Sequence, residues 1–157
     1  LSTFFHSSLV NHGYDRAKRQ AKKLDLFSTD LLLIPINLAN HWILVTCKNL
    51  RGEAVEITLH DPKYVDRFQT VLKDIERFLA RHYEETQGRP WQARRVMVVR
   101  KDIPKQTNKH DCGVFLGALS KCITLDLEFN FTESDMCQIR HLMKSELLCR
   151  TIKTTPF

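Results

Sequence analysis

An α+β fold is predicted for this chain by three observations. Strand-like runs at residues 31–36, 43–47 and 54–59 follow one another closely, apolar residues recur at helical spacing between Phe68 and Leu79, and the polar stretch 106–111 turns apolar and helical at Cys112. In that arrangement strands supply a histidine and an aspartate, and a core helix supplies a cysteine at its N-terminus.

Each element has its own local signal. Residues 3–23 carry a broken helical pattern: Phe4, Phe5, Leu9 and Val10 precede an interruption at Asn11, His12 and Gly13, and a basic helix resumes from Asp15. The run 31–36 reads as a buried strand ending at Pro35, and strands 43–47 and 54–59 pair through a turn at residues 49–52. Phe68, Leu72, Ile75 and Leu79 make residues 66–83 an amphipathic helix whose stripe faces the core. A loop at 86–90 and a short strand at 96–99 lead to the Gln106 loop, after which a helix runs from Cys112 to about Ile123. Thr132, Glu133, Ser134 and Asp135 have capping-box form and open a last helix, with Met136, Ile139, Met143 and Leu147 on one face. One compact domain over residues 1–157 is expected, without repeats, linkers or low-complexity stretches.

Composition narrows the class. Hydrophobic residues make up 43% of the 157 and charged residues 27%, which suits a packed core and argues against disorder. The net charge of +6 favours an acidic partner. Arg16, Lys18, Arg19, Lys22 and Lys23 cluster early, while Arg94, Arg95, Arg100, Lys101, Lys105 and Lys109 flank the approach to Cys112; these are either a solvated face or a substrate-steering one. No nucleic-acid module is readable, no run is long enough to span a membrane, and no signal-peptide pattern opens the chain. Five cysteines, an odd number without a C-x-x-C pair, point to a reducing compartment. His110 and Cys112 form the one close pair of potential zinc ligands and lack partners at usable spacing, so no metal site is expected.

The chemistry centres on Cys112. A thiol where a loop enters a helix meets unpaired N–H groups and the positive end of the helix dipole, which favour its reactive form. Asp111 is the natural N-cap candidate, pairing with a basic residue being the alternative, and Gly113 permits close approach of substrate or backbone. A cysteine nucleophile also needs a base, an orienting group and an oxyanion donor. His41 stands at the start of one strand, Asp61 at the end of the next, and Gln106 offers a side-chain amide six positions before the thiol. His110 is a rival base, but a separation of two residues at a loop-to-helix turn points the side chains apart, which favours His41. His6, His12, His82 and His141 read as surface histidines, Cys122 and Cys149 as small core residues, and Trp91 as a core anchor.

His41-Trp42, Asp61 and Gln106-x-Asn108-x-x-Asp111-Cys112-Gly113-x-Phe115 resemble the signature of the ubiquitin-like-protein-specific cysteine proteases, which include the sentrin/SUMO proteases. Phe4-Phe5, Gly13-Tyr14, Lys18-Arg19 and the text from Asn130 to Met136 agree. The resemblance implies a papain-like fold with a small mixed sheet, and hydrolysis after the terminal Gly-Gly of a SUMO-like modifier, without metal or organic cofactor. It implies His41 as base, Asp61 as its orienting carboxylate, Cys112 as nucleophile, and Gln106 with the Cys112 N–H as oxyanion donors. Trp42 matches a tryptophan roofing the tunnel for the Gly-Gly tail, and Phe4, Arg19 and Asn37 fall at positions near the modifier. This chain departs from the family at Leu59-His60 before Asp61, at Pro62 after it, at Gln20 and at Asn37. Such catalytic domains begin well before the segment matching Leu1, so an N-terminally truncated domain is expected. Further implied are a monomer, nuclear placement, and SUMO-like proteins and their conjugates as partners. A deneddylase- or deubiquitinase-like specificity and a non-catalytic modifier-binding module are the alternatives.

Overall fold

The computed structural model describes residues 1–65, 69–155 and 157, and within them the chain divides into two compact units. The first unit comprises residues 1–61 and 65–101, and the second residues 62–64 and 102–157.

In the first unit, α1 (Phe5–His12) and α2 (Tyr14–Ala21) are separated by Gly13, whose φ of 76° and ψ of −177° belong to a region essentially reserved for glycine. Then follow β1 (Leu31–Leu38), β2 (His41–Lys48), β3 (Ala54–His60), α3 (Gln69–Gln87) and β4 (Arg94–Arg100). The sheet order is β1-β2-β3-β4, antiparallel except for the β3–β4 pair, which is parallel with α3 as its crossover. The class is α+β with a small mixed sheet, as the sequence predicts.

The apolar run of β1 is not continuously buried. Leu32, Ile34 and Ile36 are inside while Leu31, Leu33 and Pro35 are half-exposed, the period-two alternation of a pleated strand. Nor does β1 end at Pro35. It continues to Leu38, because an edge strand has N–H positions that need no ladder partner, and a proline fits there.

Helix α3 buries Val71, Leu72, Ile75, Phe78 and Leu79, so the expected apolar stripe is present; Asp66 and Phe68 of that expectation lie outside the described residues. The helix also runs two residues into the expected 86–90 loop, stopping at Gly88, whose positive φ of 65° suits a helix exit. Phe5 meets Phe78 edge-on at 4.6 Å, and Trp91 packs with Phe27 and Tyr83 in the core, as expected.

Two histidines expected on the surface are inside this unit. His6 is buried and pairs with Asp74 at 3.2 Å, and His82 is buried against Phe78 with its Nδ1 3.2 Å from the Tyr14 hydroxyl. Both lie on the core-facing sides of their helices, where a partner satisfies the ring nitrogen.

In the second unit, α4 (Cys112–Leu125) buries Val114, Phe115, Ala118, Leu119 and Cys122, and α5 (Met136–Cys149) buries Met136 and Ile139. The expected capping box is present: Thr132 and Asp135 hold each other's backbone N–H across a 3-10 turn at Glu133–Asp135. Leu147 departs from the expected stripe, being 79% exposed. The inward position is taken one residue earlier by Glu146, whose carboxylate meets buried Lys121 of α4 at 2.8 Å. Cys149, the last residue of the helix, is exposed, contrary to its expected place in the core.

Candidate active site

In the first unit the hairpin between β1 and β2 sets the histidine. Its two loop residues, Ala39 and Asn40, have φ values of 48° and 65°, the pattern of a tight turn whose twist matches the strands. Leu38 is thereby paired with His41, which opens β2. Asp61 follows the last residue of β3 and is 2% exposed. His41 Nε2 and Asp61 Oδ1 are 2.6 Å apart, and Asp61 Oδ2 accepts the Val65 N–H at 2.8 Å. Both carboxylate oxygens are thus engaged, which fixes the group that orients the imidazole. His60, a departure from the family pattern, is buried and shares a hydrogen bond with the Thr46 hydroxyl at 3.0 Å.

The four residues expected near a substrate also lie in this unit. Trp42 is half-buried and sits opposite exposed Asn37 in the β1–β2 register. Phe4 is 71% exposed just ahead of α1, a large ring left in solvent, and Arg19 is exposed on α2.

In the second unit Cys112 is the first residue of α4 and is buried. Asp111 occupies the N-cap position, yet its side chain makes no cap hydrogen bond. Its Oδ1 accepts from Arg140 Nη2 at 2.6 Å and its Oδ2 from Asn108 Nδ2 at 2.9 Å; a charge-assisted bond to a guanidinium outcompetes a neutral N–H.

Asn108 is the hub of the loop. Its Oδ1 accepts the His110 and Asp111 N–H groups, each at 3.0 Å. Gln106, 2% exposed, donates its backbone N–H to Pro62 O at 2.9 Å. Its Nε2 donates to Asn108 O at 3.0 Å and Asn108 Oδ1 at 3.2 Å. Turning that amide over would set oxygen against two oxygens, so Asn108 dictates which end of Gln106 points where. The rival base His110 has a side chain 77% exposed, and its Nε2 stands 3.5 Å from Asp111 Oδ2, an oxygen that already accepts from Asn108.

The other thiols are set apart by burial or place. Burial pushes the Cys47 thiol up to about 12 and raises that of Cys122, keeping both protonated and inert. Cys137 and Cys149 are exposed on α5. Among the described residues no group of three histidine, cysteine or acidic side chains is placed to hold a metal ion.

The structure therefore joins His41 to Asp61 and orders the Gln106 loop up to Cys112. The hub role of Asn108 is not read from the sequence, nor is Arg140 as the basic partner of Asp111. Asn108 has a local signal, since an asparagine two and three residues before N–H groups forms such turns readily. Arg140, 29 positions from Asp111, has none.

A thiol at the mouth of a core helix and a buried histidine–aspartate pair at strand ends define a papain-like α+β protein of the cysteine-protease type. Residues 1–151 match the Ulp1 protease family, C-terminal catalytic domain, and the chain belongs to that family. It is 38% identical over 156 residues to human sentrin-specific protease 5, covering 96% of this chain and 20% of that protein. It is 29% identical over 157 residues to human sentrin-specific protease 3, covering 94% of this chain and 25% of that protein. The chain thus spans a fifth to a quarter of the length of these relatives.

Two solved structures share the fold. The C-terminal Ulp1 protease domain in complex with Smt3, the yeast ortholog of SUMO, aligns with a TM-score of 0.74 at 21% identity, over 95% of this chain and 66% of that one. The Chaetomium thermophilum Ulp1-like SUMO protease catalytic domain aligns with a TM-score of 0.75 at 23% identity, over 97% and 60%.

Proposed function

We propose that the chain is a thiol protease and isopeptidase that cleaves after the C-terminal Gly-Gly of a SUMO-like modifier, acting on precursors and on lysine conjugates. The observation that carries the reading is the His41–Asp61 pair. A buried carboxylate 2.6 Å from an imidazole at strand ends holds a base in one tautomer and orientation. Family membership and the relatives' names as sentrin-specific proteases support the choice of modifier.

With Nε2 engaged by Asp61, Nδ1 is the nitrogen that exchanges the proton. The Cys112 sulfur, its proton passed to His41, bonds to the carbonyl carbon of the last glycine. The oxyanion is held by the Cys112 N–H, which has no intrahelical acceptor at the first helical position, and by one Nε2 proton of Gln106, the other being shared between Asn108 O and the already crowded Asn108 Oδ1. His41 then protonates the departing amine, leaving a thioester, and water activated by the same imidazole releases the modifier.

The test is release of a fluorophore from the Gly-Gly terminus of SUMO by the parent chain and by Cys112→Ala. Release by the parent alone is expected, with SUMO binding retained in the variant. Release by both, or by neither, overturns the reading. Parallel ubiquitin and other modifier fusions assign specificity.

A further inference from the structure

We propose that Glu133 is a positioning residue that clamps the Gln106 loop and acts on catalysis through Gln106. The inference rests on the reading of Gln106 as oxyanion donor. Glu133 opens the 3-10 turn held by the Thr132–Asp135 capping box, so its backbone is anchored independently of the loop it reaches. Its carboxylate takes three donors from two successive loop residues. Oε2 accepts the Thr107 N–H and, at 3.2 Å, the Asn108 N–H, while Oε1 accepts the Thr107 hydroxyl at 3.0 Å.

These two residues are the ones that matter for Gln106. Thr107 is its immediate neighbour, and Asn108 supplies both acceptors of its Nε2. The loop contains no helix or strand from Lys101 to Asp111, so side-chain bonds add to the Gln106 N–H to Pro62 O bond in holding it. The Thr107 backbone bond, acting against partial burial, keeps the Glu133 carboxyl below its usual range, so the charged acceptor persists at neutral pH.

An oxyanion donor must be in place before the charge develops, and a small displacement of it is expensive in rate. Glu133→Ala removes all three acceptor contacts and frees the peptide units on either side of Thr107. Glu133→Gln can keep the geometry: its oxygen takes the two N–H groups and its amide donates to the Thr107 hydroxyl.

Two measurements test this. Amide hydrogen exchange reads the clamp without turnover: faster exchange at Thr107 and Asn108 is expected in Glu133→Ala and near-parental exchange in Glu133→Gln. Unchanged exchange in Glu133→Ala overturns the clamp. On a SUMO fusion, Glu133→Ala is expected to lower kcat about tenfold with KM within about twofold, and Glu133→Gln to stay within about threefold of the parent. The double variant Glu133→Ala/Gln106→Ala is expected to be no slower than Gln106→Ala alone, because the clamp has then lost its object. Losses that multiply in the double variant overturn action through Gln106. A parent chain that releases nothing sinks the protease reading, and the exchange result alone then decides the clamp.

Discussion

In the proposed site His41 and Gln106 are each set by a partner. Asp61 divides its oxygens between His41 and the Val65 N–H, so the imidazole is oriented by a carboxylate that cannot itself swing away. Gln106 is oriented in turn by Asn108. If its amide donates to the oxyanion, Gln106→Ala should lower kcat on the order of a hundredfold while leaving modifier affinity near the parental value. Equal kcat for this variant and the parent in steady-state fusion cleavage would remove Gln106 from the mechanism. Asp111 shows how a residue can be placed rightly by sequence and used differently: it stands at the N-cap, but Arg140 takes its carboxylate.

At the scale of elements, two features of the fold depend on positions whose neighbours in sequence look unremarkable. Gly13 breaks the N-terminal helix with a φ of 76°, and a Cβ there would meet nothing within 4 Å. The penalty for a side chain is therefore purely backbone strain. Gly13→Ala is expected to cost about 1–3 kcal/mol in urea unfolding, and an unchanged midpoint would refute the strain. The Lys121–Glu146 pair joins α4 to α5, with both side chains under a tenth exposed. Removing one partner strands a charge, whereas replacing both with apolar groups does not. Glu146→Leu alone should therefore destabilise the chain more than the double variant Lys121→Met/Glu146→Leu; the reverse order would show that the pair is better solvated than its burial suggests.

Over the whole molecule, stability on the acid side follows from the shifted groups. Burial is the main cause that holds the His82 imidazole below its ordinary value of 6.5, with Glu85 opposing. Its contribution is complete above about pH 6.5 and is lost as pH falls toward the folded value, because the unfolded chain takes up the proton first. Glu85, held low by Lys18 and then Tyr14, and Glu146, held low by Lys121 and Lys153 against the opposing effect of burial, contribute above the ordinary carboxylate value of 4.5 and lose it below. Unfolding midpoints should therefore decline below about pH 6.5 and decline further below about 4.5. His82→Gln should flatten the first decline; an identical acid limb in that variant would count against His82 as its source.

Much of this protein was legible in order along the chain. Apolar periodicity placed β2, β3 and α3, the Asn11–Gly13 break separated α1 from α2, and the capping box opened the last helical segment, because propensity, capping and turn chemistry act over a few residues. The polar-to-apolar switch at Cys112 placed the thiol at a helix N-terminus for the same reason. What the sequence left open lies between residues far apart in the chain. The inward turn of His6 and His82, the burial of Glu146 in place of Leu147 on α5, and the capture of Asp111 by Arg140 each depend on which partner packing brings opposite. Sequence alone determined the α+β elements and put His41, Asp61 and Cys112 at strand and helix ends. Tertiary structure decided which charges and ring nitrogens are buried, since desolvation makes a partner obligatory only after packing has excluded water.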